Sequence, residues 1–157
     1  MTQKVDRPEI NPNIHPPVIA LGHIVAAYML GWIFHIPLNA PTSIRIIGFT
    51  SIIIGFLLGM GAVVEFRKAH TTLDPHGSVN RLVTGGIYRF TRNPIYLGFL
   101  LIVIGLPMNA GIFWGFLLSP LYAVTMNRLV IEKEEAYLGK KFKEQYDEYR
   151  SGVRRWL

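Results

Sequence analysis

The sequence predicts an all-α, polytopic membrane protein with about four transmembrane helices, the last two a short helical hairpin, followed by a cytoplasmic C-terminal helix. Three observations predict it. Half of the 157 residues are hydrophobic and the mean hydropathy is +0.31, more apolar than a soluble chain of this size. Residues 93–127 contain no Asp, Glu, Lys or Arg. A chain this short cannot cover so long an uncharged run with polar surface, so a bilayer is the better solvent for it. The charged residues, finally, flank the apolar runs instead of interrupting them. By length the chain is one domain, 1–157, with a polar tail over 1–16, a loop over 65–93 and a C-terminal segment over 131–157.

The first span is expected from about Pro17 to Leu38. Residues 1–14 are polar and proline-bearing, which gives no sign of a cleavable signal peptide. The second span runs from about Ile46 to Val64, bracketed by Arg45 and Glu65. The uncharged run after Arg92 is too long for one helix, and Pro107-Met108-Asn109-Ala110-Gly111 supplies turn chemistry in its middle. It therefore reads as two short helices, the second kinked at Pro120. From Met126 to Arg150 the chain is helix-forming and amphipathic and continues the fourth span out of the bilayer. Arg154, Arg155 and Trp156 suit a headgroup layer. The pairs Gly55/Gly59 and Gly111/Gly115 make GxxxG patterns, for which close packing within one subunit is the plainer reading and homodimerisation the sharper one.

Orientation follows from the basic residues. The loop from Glu65 to Asn93 holds five Lys or Arg and the tail from Ile131 holds seven, whereas the first connector has only Arg45 and the Pro107 turn has none. With an even number of spans, both termini and the long loop share the cytoplasmic side. The net charge of +6 does not point to nucleic acid, because the basic residues form no stripe between stacking aromatics. The absence of cysteine excludes disulfides, thiolate nucleophiles and cysteine-ligated metal. His23 and His35 fall within the first span, where an imidazole usually bonds a neighbouring helix. His70 and His76 lie in the loop without metal-ligand spacing, so no metal site is expected.

The chemistry concentrates in Leu82–Leu97, LVTGGIYRFTRNPIYL. Asn93-Pro94 is a helix-start signal: the Asn side chain can cap a backbone N–H, and Pro at the first position loses no hydrogen bond. With Arg89 and Arg92 just before it, that N-terminus attracts an anion such as a carboxylate. Gly85-Gly86 permits a tight backbone turn. Downstream, Arg128, Glu132 and Glu135 stand at i, i+4 and i+7, on one face of a continuing helix, with Glu134 about a quarter turn away. On pattern alone this is an interfacial helix with ordinary salt bridges.

The run YRFTRNPIYLG, then EEAYL, FKEQYDEY and the closing VRRW, resembles the isoprenylcysteine carboxyl methyltransferase and phospholipid methyltransferase superfamily of integral-membrane enzymes. The resemblance covers roughly Glu65 to Leu157. One departure is Asn93, where many members carry His. The resemblance implies S-adenosyl-L-methionine as cofactor and a lipophilic or prenylated acceptor held in the bilayer. It places cofactor contacts on Asn80, Arg81, Leu82 and Val83, on Tyr88, on Asn93, Pro94, Ile95 and Tyr96, and on Glu134 or Glu135. The acidic residues help close the pocket, and an arginine nearby contacts substrate, which makes Arg128, Glu132 and Tyr96 the candidates for the reaction itself. It implies carboxyl O-methylation of an isoprenylcysteine-type acceptor. Methylation of a phospholipid amine or another small apolar acceptor is the alternative. A nicotinamide-dependent membrane reductase and a non-catalytic membrane protein with a ligand pocket are the readings from other classes.

Overall fold

A computed structural model describes residues 6–34 and 41–157, and among these every regular element is helical. Helix α1 spans Pro16–Ile33, α2 Thr42–Lys68, α3 Pro94–Asn109 and α4 Trp114–Met126. A π-helical turn, Asn127–Ile131, carries α4 without interruption into α5, Glu132–Phe142, and α6 covers Glu144–Gly152. His35 and the end of the first expected span lie outside the described residues.

Helices α1 and α2 are long and apolar enough to cross a membrane, with mean hydropathies of 1.5 and 2.2. Their apolar side chains face outward: Trp32 is 84% exposed and Phe56 64%. α2 is longer than expected because Arg45, Glu65, Arg67 and Lys68 remain helical beyond the apolar run. α3 and α4 are the expected short hairpin. Pro107 sits within α3, and the reversal comes after it, at Gly111 with φ +82°. The helix continues through Pro120.

α2 and α3 pack through facing glycines. A Cβ on Gly55 would lie 2.6 Å from the Gly98 carbonyl and one on Gly98 2.6 Å from the Gly55 carbonyl, and Gly105 meets Gly48 in the same way. Backbones this close gain dispersion contacts that no larger residue would allow. Gly115 likewise meets the Val103 carbonyl, so these glycines serve packing within the chain, whereas a Cβ on Gly59 would meet nothing within 4 Å. The buried core gathers Ile10, Ala20, Tyr96, Val103, Tyr122 and Met126. His23 is satisfied locally, its Nδ1 2.8 Å from the Ile19 carbonyl and its ring edge-on to Tyr122.

The C-terminal part departs from a single amphipathic helix. At Lys143 the backbone takes φ +45° and breaks the helix, so α6 folds back on the polar end of the bundle. This return places Tyr146 against Arg92 and Tyr149 against the loop, where a straight helix would have carried them away from both.

Candidate active site

The polar end of the bundle holds an open cleft lined by both apolar and ionisable side chains. Its floor is the first turn of α3. Pro94 occupies the first helical position as expected, but Asn93 makes no side-chain cap. Its amide instead donates to the Arg155 carbonyl at 2.9 Å, and the Arg92 N–H and the Thr91 hydroxyl bond the Arg154 and Arg155 carbonyls. The closing VRRW segment is thus pinned beneath the cleft by its backbone. Arg155 and Trp156, expected at the headgroups, turn inward: Arg155 pairs with Glu135, and the Trp156 indole donates to Asn127 at 3.2 Å.

Between the helices, the loop over 69–93 forms one wall. Gly86 has φ +56°, so the turn demands glycine, and the Glu65 carboxyl packs against it. The turn that follows sets Tyr88 into the cleft against Phe66, with its carbonyl accepting from Tyr149 at 2.8 Å. Burial raises the Tyr88 and Tyr149 hydroxyls above the ordinary phenol range. Both are protonated donors at neutral pH.

The glutamate pair forms the opposite wall. The π-helical turn widens the helix just before it, shifting the register of α5 relative to α4. Glu134 accepts a 2.7 Å hydrogen bond from Tyr96. Its carboxyl faces the cleft while protein packs around it, and this desolvation, against the hydrogen bond from Tyr96 and with the nearby Glu135 charge, raises it to about 7. Glu135 differs. Arg155 grips it with two bonds of 2.6 and 3.0 Å, and Arg92 lies 3.2 Å away. Arg92 also donates to Tyr146 at 3.3 Å, while its buried Nε has no partner among the described residues.

Of the residues named from sequence, Arg81, Leu82, Val83, Tyr88, Asn93, Ile95, Tyr96, Glu134 and Glu135 line this cleft together. Asn80 does not; its N–H bonds Thr71 at 3.1 Å. Pro94 is buried behind the lining. Arg128 and Glu132 pair with each other at 3.5 Å on the outer face and line a separate basic groove. The i, i+4, i+7 face is therefore split: Arg128 and Glu132 look out, and Glu135 looks in. Arg92, expected beside an anion at the α3 N-terminus, also lines the cleft, whereas Arg155, Tyr146 and Tyr149 were not singled out as lining or holding the site, since only the fold brings the C-terminal segment back to α3.

Residues 44–145 match the phospholipid methyltransferase family. The chain belongs to this family. It is 33% identical over 102 residues to a protein-S-isoprenylcysteine O-methyltransferase of Schizosaccharomyces pombe, covering 64% of this chain and 43% of that protein. It is 32% identical over 118 residues to protein-S-isoprenylcysteine O-methyltransferase B of Arabidopsis thaliana, covering 68% of this chain and 55% of the relative. An uncharacterized protein of Haemophilus influenzae is 35% identical over 63 residues, its whole length. The chain spans about half the length of the named methyltransferases it matches. No solved structure matches it. The match to the phospholipid methyltransferase family takes in the two cleft walls from Glu65 to Tyr88 and Glu134-Glu135, with the α3 floor between them, but ends before Tyr146 and the pinned C-terminal segment.

Proposed function

We propose that this protein transfers a methyl group from S-adenosyl-L-methionine to a lipophilic acceptor, most simply the carboxylate of an isoprenylcysteine-type molecule, giving a methyl ester. The observation that carries the reading is one cleft that presents an anion-seeking arginine, a buried carboxyl and aromatic faces at once. The cleft suits that donor. The unpartnered Arg92 Nε and the uncapped N–H groups of α3 favour its carboxylate, Glu134 offers an acceptor for a hydroxyl or amino group, and Leu82, Val83 and Leu138 offer an apolar slot. When bound, the donor supplies an activated methyl on a sulfonium. The chain's part is to orient and to exclude water. Tyr96, fixed through Glu134 and the Tyr122 hydroxyl on its carbonyl, holds a polar oxygen at the boundary between cleft and membrane-facing surface.

An acceptor reaches that boundary from the side. An apolar groove between α2 and α3, lined by Gly55, Phe56, Gly59, Met60, Phe99 and Ile102, shares Leu73, Pro75, Ile95 and Tyr96 with the cleft. In this reading α1 to α4 are four membrane spans, both termini are cytoplasmic, and a prenyl or acyl chain lies in the groove with its head at Tyr96. Arg128 and Glu132 pair with each other in the outer groove, away from both the cleft and the side groove.

Amine methylation is the second reading, and Glu134 favours it: a carboxyl raised to about 7 is a base able to take a proton from an ammonium acceptor, which a carboxylate acceptor would not require. The test is calorimetric titration of the detergent-purified chain with S-adenosylhomocysteine, beside a Tyr96→Phe, Glu134→Gln double variant. Saturable binding weakened in the variant supports the donor site; absence of binding to folded protein removes the methyltransferase reading. Methyl label that is released by mild base identifies an ester, and label that resists it identifies an amine.

A further inference from the structure

Residues 6–10 form an irregular strap beside the cleft, which Pro8 lines. Pro8 and Ile10 point inward and are buried, while Arg7 and Glu9 point outward and are exposed. Ile10 joins the apolar core and pins one end of the strap. Asp6 holds the other end from both walls of the cleft. From the loop, Ser78 donates to Asp6 Oδ2 at 2.8 Å. From α5, Tyr137 donates to Oδ1 at 3.0 Å and the Lys141 ammonium bonds Oδ2. Tyr137 also accepts the Val79 N–H at 3.2 Å, and Lys141 donates to Ser78 at 3.1 Å, so the loop and α5 are tied together at this point. Between its anchors, Pro8 lines the cleft on one side and the outer basic groove on the other, and thus partitions the two.

We propose that residues 6–10 form the outer wall of the donor site, and that Asp6, through Ser78, Tyr137 and Lys141, is the latch that sets how long a donor or its demethylated product stays bound. This rests on the cleft being the donor site. The Asp6 side chain is 60% exposed, and its partners Ser78, Tyr137 and Lys141 are half-buried. Water competes for their hydrogen bonds, so opening costs little, while Pro8 and Ile10 return the strap to one register. A site that must release a product resembling its cofactor at every turnover needs such a low-cost opening.

The test is the release rate of S-adenosylhomocysteine from the full chain in detergent, measured for the wild type, Asp6→Asn, Lys141→Met and the exchanged pair Asp6→Lys with Lys141→Asp. Each single variant is expected to release the probe roughly twofold to fivefold faster, with the exchanged pair partly restoring retention. The donor KM should rise while kcat does not fall, and the Val79 amide should exchange its hydrogen faster in the ligand-free single variants. If the wild type binds the probe and the single variants release it at the same rate, the latch is overturned while the donor site stands. If the wild type binds none, the donor reading fails and takes the latch with it.

Discussion

The Tyr96 hydroxyl donates to Glu134 at 2.7 Å, joining the first turn of α3 to the first turn of α5 across 38 residues of sequence. The bond ties the floor of the cleft to one wall at the point where the side groove opens. It also opposes, without overcoming, the desolvation that raises the Glu134 carboxyl, which has no arginine partner among the described residues.

Glu134 should make stability pH-dependent. Its carboxyl is raised from about 4.5 to about 7, mainly by desolvation, so the folded chain keeps a proton that the unfolded chain loses between these values. The contribution of the neutral carboxyl is full below about 4.5 and is lost as pH rises through 7, at no more than ~1.4 kcal/mol per pH unit. Thermal unfolding from pH 4.5 to 8 should show a falling component that Glu134→Gln removes. An identical pH profile in the variant would contradict the assignment.

A cationic ligand should couple to the same proton. Binding of a sulfonium favours the ionised carboxylate, so S-adenosylmethionine should bind more tightly as pH rises through 7, and the uncharged sulfur of S-adenosylhomocysteine should show a weaker trend. Calorimetry in two buffers of different ionisation enthalpy would detect more proton release with the first ligand than with the second.

Glu135 is a structural carboxylate clamped between Arg92 and Arg155. Removing it leaves two arginines facing each other without a counter-charge, and Glu135→Ala should cost roughly 2–4 kcal/mol, somewhat below the range for fully buried pairs. Arg155→Ala should cost less, because Arg92 still neutralises the carboxylate. Denaturant or heat unfolding of the two variants would order them, and the reverse order would refute the clamp.

The glycines of α2 should separate into two kinds. A Cβ on Gly55 would approach the Gly98 carbonyl to 2.6 Å, so Gly55→Ala must push α2 from α3, at about 1–3 kcal/mol for overpacking. Gly59 faces open space in the side groove, and Gly59→Phe should leave the unfolding midpoint nearly unchanged while excluding long-chain acceptors. Turnover of a short-chain against a long-chain acceptor would show it, and equal losses for both would count against the groove.

Much of this architecture is legible in one dimension. The uncharged run of residues 93–127, the turn chemistry at Pro107–Gly111 and the Asn93-Pro94 helix start all act locally, through solvation and backbone preference, so their structural consequence stays within a few residues. Nine of the residues singled out from sequence meet in one cleft for a related reason: they sit on short segments whose ends the helices bring together. Asn93 is the instructive exception. Its residue type is right for a cap, yet the amide bonds the Arg155 carbonyl, a partner no local rule could name.

Hydropathy and turn preference are properties of neighbouring residues, so the apolar spans, the helical hairpin and the polar segments that carry chemistry are read in local pattern. Which glutamate bonds Tyr96 at the cleft and which is clamped by arginines follows from the packing of the helices. The π-helical turn at Asn127–Ile131 shifts the register by an amount that periodicity cannot supply, at about 100° per residue. The helix break at Lys143 then returns Tyr146 to Arg92, and Asp6 meets Lys141 across 135 residues. Contacts that distant leave no trace in local pattern, since their cost is chain closure and their gain appears only once the helices have packed.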